Sequence, residues 1–140
     1  MAPNGLLAVS AAAEFRAAVE RRDIDGAVAM LASDVVFHSP VTFHPFRGSE
    51  PVSRLLGIVF ELFEDFIYVA ELDGAGIHGL LFRARVGDRE IEGIDLITEN
   101  GAGLIADFTV MLRPMSATIA FAQQVGPRLE AIGLAPDRPA

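Results

Sequence analysis

The sequence predicts an α+β fold, in which a curved antiparallel sheet forms a cone closed by three N-terminal helices, with an extra C-terminal helix. Three observations carry this. Apolar residues recur at helical spacing as far as Phe63, and from Phe66 the period changes to two. The strand-like segments Phe66–Leu72, Ile77–Val86, Arg89–Thr98 and Leu104–Arg113 are separated by little more than Asp73–Gly74–Ala75–Gly76, Gly87–Asp88 and Asn100–Gly101–Ala102–Gly103. Connections this short and Gly-rich suit antiparallel neighbours in a meander.

The elements follow in order. Ser10 is a good N-cap residue for a helix reaching Arg22, with Ala11, Phe15, Ala18 and Val19 on one face. Asp23 caps a second helix, Ile24 to Ala32, whose Ile24, Val28 and Leu31 recur at i, i+4 and i+7. Val35 to Ser39 reads as a short strand that stops at Pro40, which has no N–H to give a ladder. Thr42 to Phe46 reads as a hairpin return or an irregular flap. A third helix begins near Ser49, with Pro51 in the first turn where a missing N–H costs little. Its two apolar stripes, Val52, Leu55, Val59, Leu62 and Leu56, Phe60, Phe63, call for contacts on two sides. After the four strands, a helix over about 116–132 carries Phe121, Val125, Leu129 and Ile132 on one face. Pro127 is expected to kink or split it by clashing with the Gln123 carbonyl.

At 140 residues, 51% of them apolar and 21% charged, the chain is expected to be one domain, 1–140, with its core over about 10–114. Met1–Asn4 and Ala135–Ala140 read as frayed ends. The absence of cysteine excludes disulfides, thiolate zinc sites and cysteine nucleophiles, and it fits a reducing cytoplasm. A net charge of −8, with no basic cluster larger than Arg21–Arg22, argues against nucleic acid as partner. The longest charge-free run, Pro114 to Pro127, is too short and too polar for a membrane helix. The charge-free Met1–Ala13 lacks a basic start, so no signal peptide is expected. A mean hydropathy of +0.40 requires a large core, an apolar subunit interface or an apolar-lined cavity.

The order of elements, together with Arg21–Arg22–Asp23–Ile24–Asp25–Gly26–Ala27, Leu31–Ala32–Ser33–Asp34–Val35–Val36–Phe37 and Gly93–Ile94–Asp95–Leu96–Ile97, resembles the nuclear transport factor 2-like superfamily. The likeness is to its SnoaL-like, ketosteroid isomerase-like branch and covers roughly Ser10 to Arg113. It implies a small-molecule site inside the cone. The isomerases use a general-base Asp, an oxyanion-hole Tyr and a protonated Asp. The resemblance places Ser39 at the base, Phe15 at the tyrosine and Asp95 at the protonated carboxyl. The carboxylate of the SnoaL-like cyclases falls on Val110, and two of the three epoxide hydrolase positions fall on Gly93 and Val110, leaving Asp95 alone again. A serine cannot replace a carboxylate base unaided.

Asp95 shares its strand face with Ile91, Gly93 and Ile97, so it is either a carboxyl satisfied by one local hydrogen bond or a ligand-facing acid. No Lys or Arg shares that face, so desolvation should raise its pKa. His78 shares a face with Leu80, Phe82, Ala84 and Val86, as a strand-end histidine or a cavity-lining one. The expected cavity lining is Phe15, Phe37, Ser39, Phe60 and His78, with Asp95 as the catalytic candidate. His38 and His44 around Pro40 have no metal-ligand spacing, so neither metal nor cofactor is expected. Arg83 and Arg85 should pair across the ladder with Glu90 and Glu92 on the outer face, where Asp107 also belongs. The outward apolar residues Leu81, Ile94 and Leu96 then call for a homodimer. Two functions stay open: a binder of lipophilic small molecules with acid–base chemistry at Asp95, and a non-catalytic ligand-binding or interaction module.

Overall fold

Side-chain caps start the first two helices in the computed structural model, which describes residues 9–137. Ser10 accepts a hydrogen bond from the Ala13 amide (3.0 Å) at the head of α1 (Ala11–Glu20). Asp23 accepts one from the Gly26 amide (2.9 Å) at the head of α2 (Ile24–Val28). The second helix is shorter than its periodicity predicts. The chain leaves it at Ala29 and enters β1 (Leu31–His38), well ahead of the predicted start at Val35. Leu31 and Ala32 are buried, and Leu31 lies opposite Ile105 in the sheet, so ladder bonding and burial override the helical spacing there. The frayed segment expected at 1–4 lies outside the described residues, as do 138–140.

β2 (Phe46–Arg47) returns antiparallel to β1, and Gly48, at φ +97°, turns the chain into α3 (Ser49–Leu62). The strands β3 (Glu64–Gly74), β4 (Ile77–Val86), β5 (Arg89–Glu99) and β6 (Ile105–Arg113) form the expected antiparallel meander. The six-stranded sheet runs β2-β1-β6-β5-β4-β3, curved but unclosed. β1 joins β6 in parallel, so the sheet is not wholly antiparallel. No tight turn links those two strands, and only a tight turn would force them antiparallel.

The closing helix α4 (Met115–Ala131) runs through Pro127 without being split. Pro127 lies a single turn from the C-terminal end, where little helix depends on the lost bond, and the Arg128 guanidinium hydrogen-bonds the nearby Gln124 carbonyl at 2.8 Å. The helices cover one face of the sheet, and the core is aromatic: Phe15 meets Phe108 edge-on at 5.2 Å, and Phe37 meets Phe108 at 5.4 Å.

On the outer face Arg83 lies opposite Glu92 and pairs with it at 2.9 Å, while Arg113 bonds the other Glu92 oxygen. Ile67, Val69, Leu72 and Met111 are exposed there, and Leu81, Ile94 and Leu96 are half-buried. No helix among the described residues is long and apolar enough to cross a membrane.

Candidate functional site

Strand alternation places one carboxyl on the concave face. Asp95 is 6% exposed, and its ladder neighbours on either side are Leu80 and Val110. Apolar neighbours give an ionised carboxyl nothing in exchange for lost water, and burial accordingly pushes Asp95 up to about 8. A hydrogen bond from the Tyr68 hydroxyl to Oδ2 (3.4 Å) acts in the opposite direction and is outweighed. At neutral pH the carboxyl is therefore predominantly protonated. No sealed side-chain oxygen among the described residues lacks a hydrogen-bond partner, and none of those residues bonds Oδ1, so Oδ1 is open to the cavity that Asp95 lines.

Tyr68 is the residue that sequence reasoning missed. It sits in β3 with its ring edge-on to Phe66 (4.9 Å between centroids) and the Arg16 guanidinium 5.4 Å from the ring centre. Burial and the neighbouring Asp95 raise its own pKa well above the usual tyrosine value, so it stays a donor. Two signals pointed to it: it is the single tyrosine, and it shares strand parity with Phe66.

The cavity, of about 320 Å³, lies between the sheet and the helices, within the range of small-molecule sites. Phe82, Asp95, Phe108, Val110 and Leu112 form its floor. Leu55, Leu56, Val59 and Phe60 from α3 and Phe121 and Val125 from α4 form its walls, with Ser39 to Thr42 and Leu134 to Pro136 completing the rim. Gly93 makes room in the floor: a Cβ there would run into the Phe82 ring and come within 2.7 Å of Leu112.

Among the predicted site residues, the structure brings Phe37, Ser39, Phe60 and Asp95 together around this cavity. It does not bring Phe15, which is fully buried behind the wall against Phe60 and Phe108. His78 is not at the cavity either. At the start of β4 its ring bonds Asp73 through Nδ1 and lies 3.3 Å from Glu99 through Nε2, at the sheet rim beside α1. Glu99 also accepts a hydrogen bond from the Ala11 amide (3.0 Å), so the cluster fastens helix to sheet. Ser39 Oγ accepts from the Val41 and Thr42 amides (2.9 and 3.1 Å), which commits it to folding the flap. His38 pairs with Asp107 at 3.2 Å across β1 and β6. Among the described residues no three His, Asp or Glu side chains are grouped to hold a metal ion.

Residues 12–98 match the family model of the SnoaL-like domain. A steroid delta-isomerase from Pseudomonas aeruginosa is similar in structure, with a TM-score of 0.81 and 41% identity over 89% of this chain and 93% of that one. An uncharacterized protein with a cystatin-like fold from Silicibacter pomeroyi DSS-3 gives a TM-score of 0.80 and 32% identity, over 86% and 85% of the two chains. An NTF2-like protein from Cytophaga hutchinsonii ATCC 33406 shares the fold, with a TM-score of 0.58 and 19% identity over 76% of this chain and 89% of that one. No curated protein matches the chain.

Proposed function

Because the chain belongs to the SnoaL-like domain family, we propose that it binds a neutral lipophilic molecule in the cone and offers the protonated Asp95 to an acceptor oxygen of that ligand. The observation that carries this reading is the one buried acid among the described residues, engaged from behind by Tyr68 and open in front to an apolar cavity. A carboxyl kept neutral at neutral pH donates a hydrogen bond where negative charge develops, as on a carbonyl becoming an enolate. In an isomerase, cyclase or hydrolase reaction Asp95 would be the acid. The similarity to a protein described as a steroid delta-isomerase makes flat polycyclic ketones the first ligands to try.

A second reading, a non-catalytic ligand-binding module, is favoured by Ser39. It stands where the resemblance would place the base, and its oxygen is already held by two flap amides. In either case we propose a homodimer packed through the outer face, since Ile67, Val69, Leu72 and Met111 are exposed side by side with half-buried Leu81 and Ile94. The cysteine-free chain suits action in the cytoplasm.

The test is ligand affinity against pH, using steroids, polyketide fragments and terpenoids that carry a ketone. Wild-type affinity should fall about tenfold for each pH unit above the Asp95 pKa, as the donor is lost. Asp95→Asn keeps an N–H donor and should bind with no such pH dependence, while Asp95→Leu binds weakly throughout. Turnover that Asp95→Leu abolishes identifies the enzyme, and binding without turnover identifies the module. If no compound in the panel binds, the reading fails.

A further inference from the structure

We propose that residues 128–137 form a lid over the cavity mouth, hinged at Gly126–Pro127 and latched by Asp137 to Arg47 and Pro45. The inference rests on the cavity being a binding site, and it concerns how a ligand gets in. Instead of fraying from Ala135 as the sequence suggests, the chain turns back at Gly133, whose φ of +71° ends α4. The Leu134 amide bonds the Leu129 carbonyl at 2.9 Å, which directs Leu134, Ala135 and Pro136 along the cavity rim, where Pro40, Val41 and Thr42 also stand.

The fastening is at the tip. The Asp137 amide donates to the Pro45 carbonyl at 2.8 Å, and its carboxylate pairs with the Arg47 guanidinium. Both side chains of that pair are largely exposed, and the remaining tether, Arg54 to the Ile132 carbonyl, is 3.4 Å long. An exposed ion pair and two backbone-directed bonds hold weakly enough to break and reform.

The hinge is the point where anchoring thins. Upstream, Ala117, Phe121 and Val125 are buried, whereas from Gly126 to Asp137 none is, and of that segment only the half-buried Leu129 and Leu134 pack against the core. Pro127 cannot donate to the Gln123 carbonyl, and Gly126 before it has open space around its Cβ position. A helix whose stripe passes from buried to half-buried where a backbone bond is also lost bends there first.

Two arms test the lid on the full chain. In the first, stopped-flow fluorescence follows the neutral apolar probe N-phenyl-1-naphthylamine. Arg47→Ala and Asp137→Ala should each speed both entry and release about two- to fivefold, and the double variant should add nothing further. Pro127→Ala restores the missing N–H and should slow both. The second arm needs no ligand. Hydrogen exchange at the Leu134 and Asp137 amides should quicken in Arg47→Ala by the same factor, with the Phe121 and Val125 amides unchanged. Exchange that rises evenly along α4, or does not change at all, overturns the lid. So do probe rates that none of the variants alters. If the probe does not bind, the binding reading is what suffers, and the exchange arm alone decides the lid.

Discussion

Asp95 and Glu92 lie three residues apart on β5 and titrate in opposite directions. Asp95 points into the cone between Leu80 and Val110, and burial lifts it to about 8. Glu92 points outward, where the Arg113 guanidinium first and Arg83 second hold it below the usual carboxylate range. The strand alternation that sorts side chains between two faces also sorts their protonation. One carboxyl becomes a stored proton facing the cavity, and the other becomes part of a solvated ion-pair cluster.

The largest effect expected from breaking this contrast is on stability against pH. The native protein holds a proton on Asp95 that the unfolded chain releases above pH 3.8, so native stability declines as pH rises from about 4 toward the folded value of about 8. At about 1.4 kcal/mol per unit this amounts to roughly 4 kcal/mol between pH 4 and 7. Asp95→Asn should remove that slope and stabilise the protein near pH 7, as read from urea midpoints at pH 5 and 7.5. Equal slopes in the two proteins would show that Asp95 ionises at an ordinary pH.

A smaller effect sharpens the contrast. Tyr68→Phe deletes a bond that favours the charged carboxylate, so the Asp95 pKa should rise further, which carbon-detected NMR of the carboxyl would read directly. Stability at pH 5 should fall by about 1 kcal/mol, the usual net value of a hydrogen bond. An unchanged Asp95 pKa would mean that the hydroxyl does not reach Oδ2. The smallest effect belongs to the outer face. In Glu92→Gln the urea midpoint at pH 7 should barely move, because Arg83 and Arg113 remain solvated. Its contribution has the opposite pH sense, present above the ordinary glutamate value and lost as pH falls through the depressed one.

The contrast between the faces of β5 was legible from the sequence, because parity needs only the strand and its period. Gly93, Asp95 and Ile97 fell on one side, and Glu92 with Ile94 on the other. Asp95 was found because a charged residue in an apolar row stands out. Tyr68 was not, since its meeting with Asp95 spans β4 and depends on register, including the irregularity between Tyr68 and Ala70. His78 had the right parity but sits at the strand end, where parity no longer implies depth and two carboxylates draw the ring to the rim. Phe15 matched an aligned tyrosine, yet with no hydroxyl to satisfy it packs behind Phe60 in the core. The tail escaped notice because its principal bond, from the Asp137 amide to the Pro45 carbonyl, is backbone to backbone and carries no side-chain signature.

The parallel seam between β1 and β6 bears on how the molecule is built in time. Phe37 lies beside Phe108 in that seam, and Ile105 beside Leu31, so the partner of the first long strand is the last strand of the chain. During synthesis the N-terminal third has only the two-residue β2 to pair with, and one side of β1 waits until nearly the whole meander has emerged. Contacts of such sequence separation are slow to form, because the loop must be closed before any pairing compensates for it. The meander, built from neighbouring hairpins, can assemble first and present the β6 edge as a template. Docking of β1, with α1 and Phe15 behind it, is then the step that sets Phe37 beside Phe108 at the cavity.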